Sequence, residues 1–280
     1  MRIFFILFLL FFSGFSSAQE LYINTEPASL IPKGTKVVRL HNHTIFLNEN
    51  NEPGSQSSAK LLIPQISYGI SKNIMVSAAF QISNNPFDIN TNSRFNGFKF
   101  YSKQRILSTD KQKYHARLSS FIKYANHGKW NMPNYKFLLN NYDIEIQDSG
   151  LEVGLIATQL IKKLAISVTS GFGVISNKTS DGIYDDKNFN SIHNSISAGY
   201  LLFPRKYKSY KQTNFNIYFE YLTSSILSNK YPLRYNKFMS TFAPGIQFII
   251  MSRSRLDFGY KIRKSDMANE FLVKLTYIIY

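Results

Sequence analysis

The stretch FLVKLTYIIY, residues 271–280, is the clearest indication of the fold because it alternates apolar and polar side chains. One face of this two-residue repeat is wholly apolar and carries Phe271, Val273, Leu275, Tyr277 and Ile279. The other face carries Lys274 and Thr276. Such alternation is typical of a β-strand with different surroundings on its two sides. The strand finishes on an aromatic residue without a polar tail, so we expect it to pair within a sheet that closes on itself.

Eleven earlier stretches show the same period of two. KVVRLHNHTIF (36–46), for example, sets Val38 and Leu40 against Arg39 and His41. The connections between stretches alternate in length: SKN, IKK and MSRSR are short, whereas NENNEPGSQSS and SNKTSDGIYDDKN are long. Long loops on one side and short turns on the other are typical of outer-membrane barrels. The sequence therefore predicts an all-β protein, a single antiparallel up-and-down transmembrane β-barrel of about 12 strands.

The opening stretch, MRIFFILFLLFFSGFSSAQE, has the features of a secretory signal. Arg2 precedes an apolar run over residues 3–12, and Ser16, Ser17 and Ala18 place small residues at a cleavage site. A retained anchor helix is the alternative, but the apolar run is short for a membrane span. We predict a cleaved signal peptide at 1–18, a periplasmic N-terminal segment at 19–34 and the outer-membrane barrel at 35–280.

A soluble β-sandwich would also alternate, and it is the competing fold. Two features argue against it. The apolar faces are rich in Phe, Tyr, Leu and Ile, while the opposite faces carry Lys and Arg. The summed apolar strand faces also exceed what one sandwich core needs. Separately, the chain has no cysteine, which excludes a disulfide framework and a lipid-anchored cysteine.

Three stretches resemble a known family. PQISYGISKNIMVSAAF (64–80) and FAPGIQFIIMSRSRLDFGYKI (242–262) resemble hairpins of outer-membrane proteins of the transporter-like, meta-pathway phenol-degradation type. TEPASLIPKGT (25–35) is similar to the leader before the first strand in uncharacterised outer-membrane proteins of Bacteroidota. The resemblance implies a monomeric barrel and passive solute movement, and it implies no catalytic residues.

The charge of the chain suggests what the barrel interior does. Its formal net charge is +16, but the basic residues are spread over strands and turns, so with a secretory signal we expect no nucleic acid partner. Tyr101, Phe121 and Tyr218 are predicted to point inward. The basic residues predicted to line the lumen are Arg39, Lys99, Lys103, Arg117, Lys123, Lys261 and Arg263. Because basic rings favour anions, we predict a passive channel or transporter for small solutes with a basic lumen.

Two other functions for such a barrel stay open at this point. The lumen cations could instead pair with carboxylates in a packed interior, which would give a plugged structural barrel. The carboxylates concerned are Glu152, Glu220, Asp257 and Glu270. The Asn-rich long loops, with Trp130 in the longest, could instead bind a partner, as in an adhesin.

The histidines are the weakest candidates for a functional site, as metal ligands or as part of a catalytic dyad. His41 and His43 share a strand face and could seat a metal ion if His193 added a third ligand. A lipid-modifying outer-membrane enzyme is a further alternative, but Ser191 and His193 are too close on one strand for a dyad and no GxSxG is present. We therefore predict no enzyme and no cofactor. We expect a monomer in the cell outer membrane, with outer-membrane lipid, the barrel-assembly machinery and a small solute as partners.

Overall fold

The computed structural model describes most of the chain outside its N-terminus and the predicted long connections. The described ranges are 22–46, 58–84, 93–111, 114–127, 149–176, 188–204, 212–227, 238–263 and 269–280. The predicted signal peptide and Trp130 lie outside the described residues. Among the described residues, no helix is long and apolar enough to cross a membrane.

Twelve antiparallel strands form one closed barrel, which confirms the predicted fold. Each strand pairs with its neighbours in sequence, so the topology is up-and-down. The strands are β1 (Lys36–Phe46), β2 (Ser58–Gly69), β3 (Ile74–Asn84), β4 (Ser93–Asp110), β5 (Tyr114–His127), β6 (Ser149–Ile161), β7 (Leu164–Ser176), β8 (Asn188–Phe203), β9 (Asn214–Ile226), β10 (Phe238–Ile250), β11 (Ser254–Arg263) and β12 (Glu270–Ile279).

The first and last strands close the barrel. β1 and β12 pair in continuous register from Lys36 opposite Ile279 to Ile45 opposite Glu270. This pairing explains why an apolar alternation occupies residues 271–280. A strand edge inside a bilayer would leave backbone N–H and C=O groups without partners, and closure supplies them.

The two faces of the sheet are inverted relative to a soluble protein. On β12, Leu275 and Tyr277 are exposed on the outer surface, whereas Lys274 and Thr276 are buried inside. The same pattern recurs around the barrel: large apolar side chains such as Phe100 and Phe219 face outward. A continuous exposed apolar surface of this kind marks contact with a membrane, which excludes the soluble β-sandwich as the fold.

Residues 22–35 precede β1, and residues 22–31 of this segment lie inside the barrel, whereas 32–34 are exposed. Gly34 donates its backbone N–H to the Gly69 carbonyl at the end where the short β2–β3 turn lies, so the segment enters the lumen from that end. It reaches inward to Tyr22, whose side chain is fully buried. The predicted periplasmic orientation of this end stays a prediction, but the segment packs within the wall of strands instead of extending away from it.

Candidate functional site: a basic chamber above an internal segment

One carboxylate on the barrel wall binds the inner end of the segment through hydrogen bonds. Glu220, in the middle of β9, accepts backbone N–H bonds from Ile23 at 3.2 Å, Asn24 at 3.0 Å and Thr25 at 2.7 Å. The Asn24 side chain donates a fourth bond to it at 2.9 Å. Consecutive N–H groups converging on one anion form strong, charge-assisted bonds. Glu220 therefore fixes both the position and the direction of this part of the chain.

The segment's own carboxylate makes the reciprocal contact. Glu26 accepts a bond from Lys103 Nζ at 2.8 Å and lies 3.5 Å from Arg39 Nη1. Lys103 also donates to the Pro27 carbonyl at 2.8 Å. Burial raises the pKa of Glu26, but Lys103 and Arg39 outweigh burial and hold it at about 2. Glu26 is therefore ionised at neutral pH and bridges β1 and β4 through the segment.

The middle of the segment contacts β5 and β6. Ser119 donates to the Ala28 carbonyl at 2.6 Å, and Ala28 donates its backbone N–H to Thr158 Oγ1 at 2.8 Å. Arg117 Nη1 donates to Ser29 Oγ at 2.7 Å. An apolar cluster adds to these bonds, formed by Ala28, Leu30, Ile31, Val37, Met75, Tyr101, Phe121, Ile156 and Ile278. Burial of these apolar side chains stabilises the segment and, unlike a hydrogen bond, does not depend on a particular geometry.

Tyr22 anchors the inner end through both its polar groups. Its phenol donates to the Ala165 carbonyl at 3.0 Å, and its backbone carbonyl accepts a bond from Lys274 Nζ at 2.6 Å. Its ring meets Tyr218 edge-on, with 6.3 Å between centroids. Burial raises the pKa of Tyr22 well above its usual range, so the phenol stays protonated and remains a donor.

A chamber lies inside the barrel on the side of the segment that faces away from the short turns, and residues 22–27 form part of its lining. The space open to the centres of water molecules is about 190 Å³, which is far more than one water requires. Two carboxylates, Glu26 and Glu152, line it. Six basic side chains line it as well: Arg39, Lys99, Lys123, Lys261, Arg263 and Lys274.

Ion pairs organise two parts of the chamber wall. On β5, β6 and β8, Glu152 bonds Lys123 at 2.8 Å and His193 at 3.3 Å. On β1, β11 and β12, Glu270 bonds Arg263 at 2.5 Å, Lys261 at 3.4 Å and the His43 ring. Each carboxylate thus meets two or three basic groups, and on the Glu270 wall Lys261 and Arg263 outnumber the one carboxylate, so the balance of charge there is positive.

The seven basic residues predicted to line the lumen divide into two groups in the structure. Arg39, Lys99, Lys123, Lys261 and Arg263 line the chamber. Lys103 and Arg117 instead contact the segment, through Glu26 and Ser29. The packed-interior alternative describes part of what is seen: Glu152 and Glu270 pair with lumen cations, Asp257 accepts from Gln247 at 2.6 Å, and Glu220 is committed to the segment.

The histidines do not assemble a metal centre within the described residues. His41 and His43 stack with 6.2 Å between ring centroids, and His43 Nδ1 bonds Glu270. His193 lies on a different wall, bonded to Glu152. Over the described ranges, no group of three or more His, Cys, Asp or Glu side chains could hold a metal ion. Ser191 and His193 likewise have different partners, since Ser191 donates to the Gly173 carbonyl at 3.4 Å.

Sequence reasoning missed the segment's role and the residues that hold it. Tyr22, Glu26 and Glu220 hold the segment to the barrel wall. Of these three, the sequence analysis names only Glu220, as a possible partner for lumen cations. The available signal was the apolar content of a stretch predicted to lie outside the barrel, where Tyr22, Ile23, Leu30 and Ile31 are now buried. Residues of this type seldom stay exposed in a short linker.

Comparisons with known proteins agree on the fold. No family model matches the chain, and no curated protein matches it. Among solved structures, the NanC porin is similar, with a TM-score of 0.52 and 11% identity over 86% of this chain and 98% of that one. An outer membrane channel from Pseudomonas putida F1 is also similar, with a TM-score of 0.52 and 9% identity over 92% of this chain and all of that one. At these identities the likeness shows the fold alone. The chain has the barrel fold of outer-membrane porins and channels; the phenol-degradation type and the Bacteroidota origin stay predictions.

Proposed function

We propose that this protein is a passive channel of the outer membrane for small solutes, and that its basic chamber favours anions. The observation that carries the proposal is the chamber lining, where six basic side chains face two carboxylates. A lumen surrounded by a low-dielectric wall concentrates such a field, so the chamber raises the local concentration of anions. The apolar outer surface and the fold of the solved neighbours support the outer-membrane location.

The internal segment sets where a solute meets resistance. Residues 22–31 lie between the chamber and the end of the barrel that carries the short turns. Solutes therefore pass beside the segment or displace part of it. Its anchors are distributed unequally: the inner end depends on Glu220 and Lys274, whereas the part near the rim is embedded in the apolar cluster. Movement of the inner end alone would leave the rim attachment in place.

A plugged barrel is the second candidate, and the number of bonds to the segment favours it. Contacts from β4, β5, β6, β9 and β12 hold residues 22–29. If these contacts persist in the membrane, the barrel serves as a structural or partner-binding protein. Solute flux separates the two functions, because the chamber lining is the same in both.

Liposome flux provides the test. Refolded protein in liposomes should admit gluconate faster than sorbitol, which is similar in size but neutral. The preference should shrink when Lys99 and Lys123 are both changed to Gln, because two positive charges leave the chamber. A suitable control changes Lys36 and Lys60 to Gln, which removes an equal charge from exposed positions outside the lumen. Absence of flux for both solutes would favour the plugged barrel, and faster entry of a cationic solute would contradict the basic lumen.

A further inference from the structure

Charge is distributed unequally between the two ends of the barrel. The end that carries the short turns comprises residues 32–36, 69–74, 104–115, 160–165, 201–214 and 249–255. Each of these stretches contains Lys or Arg, and Asp110 is their only acidic residue. The Asp110 carboxylate bonds His115 at 2.7 Å and Arg117 at 3.3 Å, both on β5. The connections at the other end differ, since all of them except 228–237 contain Asp or Glu. The end with the short turns is therefore strongly basic.

Exposed cations at this end are spread around the barrel. We call them the basic ring: Lys36 at the start of β1, Lys72 in the β2–β3 turn, Lys162 in the β6–β7 turn and Arg253 in the β10–β11 turn. Because the strands follow one another around the barrel in chain order, these positions are distributed over its circumference. Lys36 lies on the outer face of β1, since it alternates with buried Val37 and shares a face with exposed Val38.

Exposed tyrosines lie beside the basic ring. Tyr68 is the cross-strand partner of Lys36 in the pairing of β1 with β2. Tyr200 lies opposite Leu164, which follows Lys162 by two residues. Both tyrosines are exposed on the outer surface. Tyrosine is enriched where a membrane meets water, because its ring is apolar and its hydroxyl is polar. The basic ring therefore lies at the level of the lipid headgroups.

Cations at this depth favour lipids of net negative charge. Arg253 shows the arrangement at one position, where its guanidinium lies 5.8 Å from the centroid of the exposed Tyr280 ring. A Lys or Arg near the membrane surface strengthens attraction to an anionic lipid by roughly fivefold. Phosphatidylcholine gains less from such a site, because its ammonium group offsets the charge of its phosphate. Phosphatidylglycerol has no ammonium group and keeps its full negative charge.

We propose that the basic ring binds anionic phospholipid in the leaflet at the short-turn end of the barrel. The cations contact the lipid phosphate, and the neighbouring tyrosine rings pack against the glycerol and the first part of the acyl chains. This surface goes beyond the proposed channel function and does not depend on it. It requires only that the barrel lies in a membrane, so lipid selectivity and conduction can be measured separately.

Electron paramagnetic resonance measures lipid selectivity at the barrel surface. The full refolded protein is placed in phosphatidylcholine vesicles with a trace of spin-labelled phosphatidylglycerol or spin-labelled phosphatidylcholine. The fraction of each label immobilised by the protein gives their relative association constant. We expect phosphatidylglycerol to be preferred about twofold, because a gain of roughly fivefold at each basic site is averaged over all lipids around the barrel. About 1 M NaCl should remove the preference, because it shortens the Debye length to about 3 Å.

Changing all four residues of the basic ring to Gln should abolish the preference for phosphatidylglycerol. The matched control changes Lys136, Lys178, Lys187 and Lys230 to Gln, which removes the same charge from the connections after β5, β7 and β9. This control should keep the preference. Heat-modifiable migration of each variant on a denaturing gel checks that the barrel has formed.

Three results would overturn the proposal: no preference in the wild-type protein, a preference that persists at high salt, or equal preference in the two variants. Conduction without lipid preference would refute the basic ring alone, and lipid preference without conduction would refute the channel alone.

Discussion

Changing Glu220 to Gln should loosen the inner end of the segment and leave the barrel intact. The Glu220 carboxylate accepts bonds from the N–H groups of Ile23, Asn24 and Thr25, and from the Asn24 side chain. Three of these four reach Oε1. With Gln in place, the bonds to Oε1 become neutral and each weakens by roughly 1 kcal/mol. The Thr25 N–H then faces an amide NH₂ group and loses its acceptor, at a cost of roughly 1–3 kcal/mol.

The sum of these effects is an upper limit, because bonds that share one carboxylate are not additive. We expect the opening free energy of residues 23–25 to fall by about 3 kcal/mol, which accelerates their amide exchange by roughly a hundredfold. Hydrogen exchange of these three amides in micelles or bilayers measures this directly. The strand amides of β9 should keep their protection, since the backbone of the barrel is unchanged.

Glu152→Gln is the matched control for this experiment. Glu152 is also a buried lumen carboxylate, but it bonds Lys123 and His193 and not the segment. Exchange at residues 23–25 should therefore stay slow in this variant. If the Glu220 and Glu152 variants exchange at the same rate, the carboxylate does not hold the segment and the geometry described here is not the one populated in the membrane.

Three other predictions follow from the fold and the segment. Phe219→Arg, on the outer face near the middle of β9, should cost about 2–4 kcal/mol of barrel stability in bilayers, measured by unfolding in urea; an unaltered midpoint would argue against lipid contact. Deleting residues 277–280 should prevent heat-modifiable folding, because β1 would lose its partners for Lys36, Val37 and Val38; normal folding of the truncated chain would refute closure through β12. The Glu26 carboxyl should titrate near pH 2 when followed by ¹³C NMR. Its contribution to holding the segment is therefore fully present above its ordinary pKa and is lost as the pH falls through about 2. Lys103→Met should raise this titration midpoint, and an unchanged midpoint would show that the contact with Lys103 is not formed.

The strands could be predicted from sequence because the membrane imposes a period of two on every one of them. KVVRLHNHTIF predicts a strand over 36–46, and β1 has these bounds. Lipid requires apolar residues on one face of each strand regardless of what fills the lumen, so the pattern survives without knowledge of tertiary contacts. Closure through β12 followed from the same requirement.

The chamber and its floor could not be predicted in this way. Residues 22–35 have no periodic pattern, and the groups that bind them lie far away in the chain, as Glu220 does from Thr25. Whether Lys103 faces water or a carboxylate depends on where the segment lies, which side-chain alternation does not encode. For the same reason Lys99 and Lys103, two positions of the same type on β4, have different surroundings: Lys99 lines the chamber and Lys103 lies against Pro27.

The reversal potential of the wild-type protein in a planar bilayer shows whether the barrel conducts and which sign of ion it favours. Across a tenfold KCl gradient, we expect a conducting pore whose reversal potential has the sign of chloride preference. The preference should weaken at high salt, because screening shortens the reach of the chamber charges. A silent bilayer, or a reversal potential with the sign of potassium preference, would contradict the claim that this barrel is an anion-favouring channel.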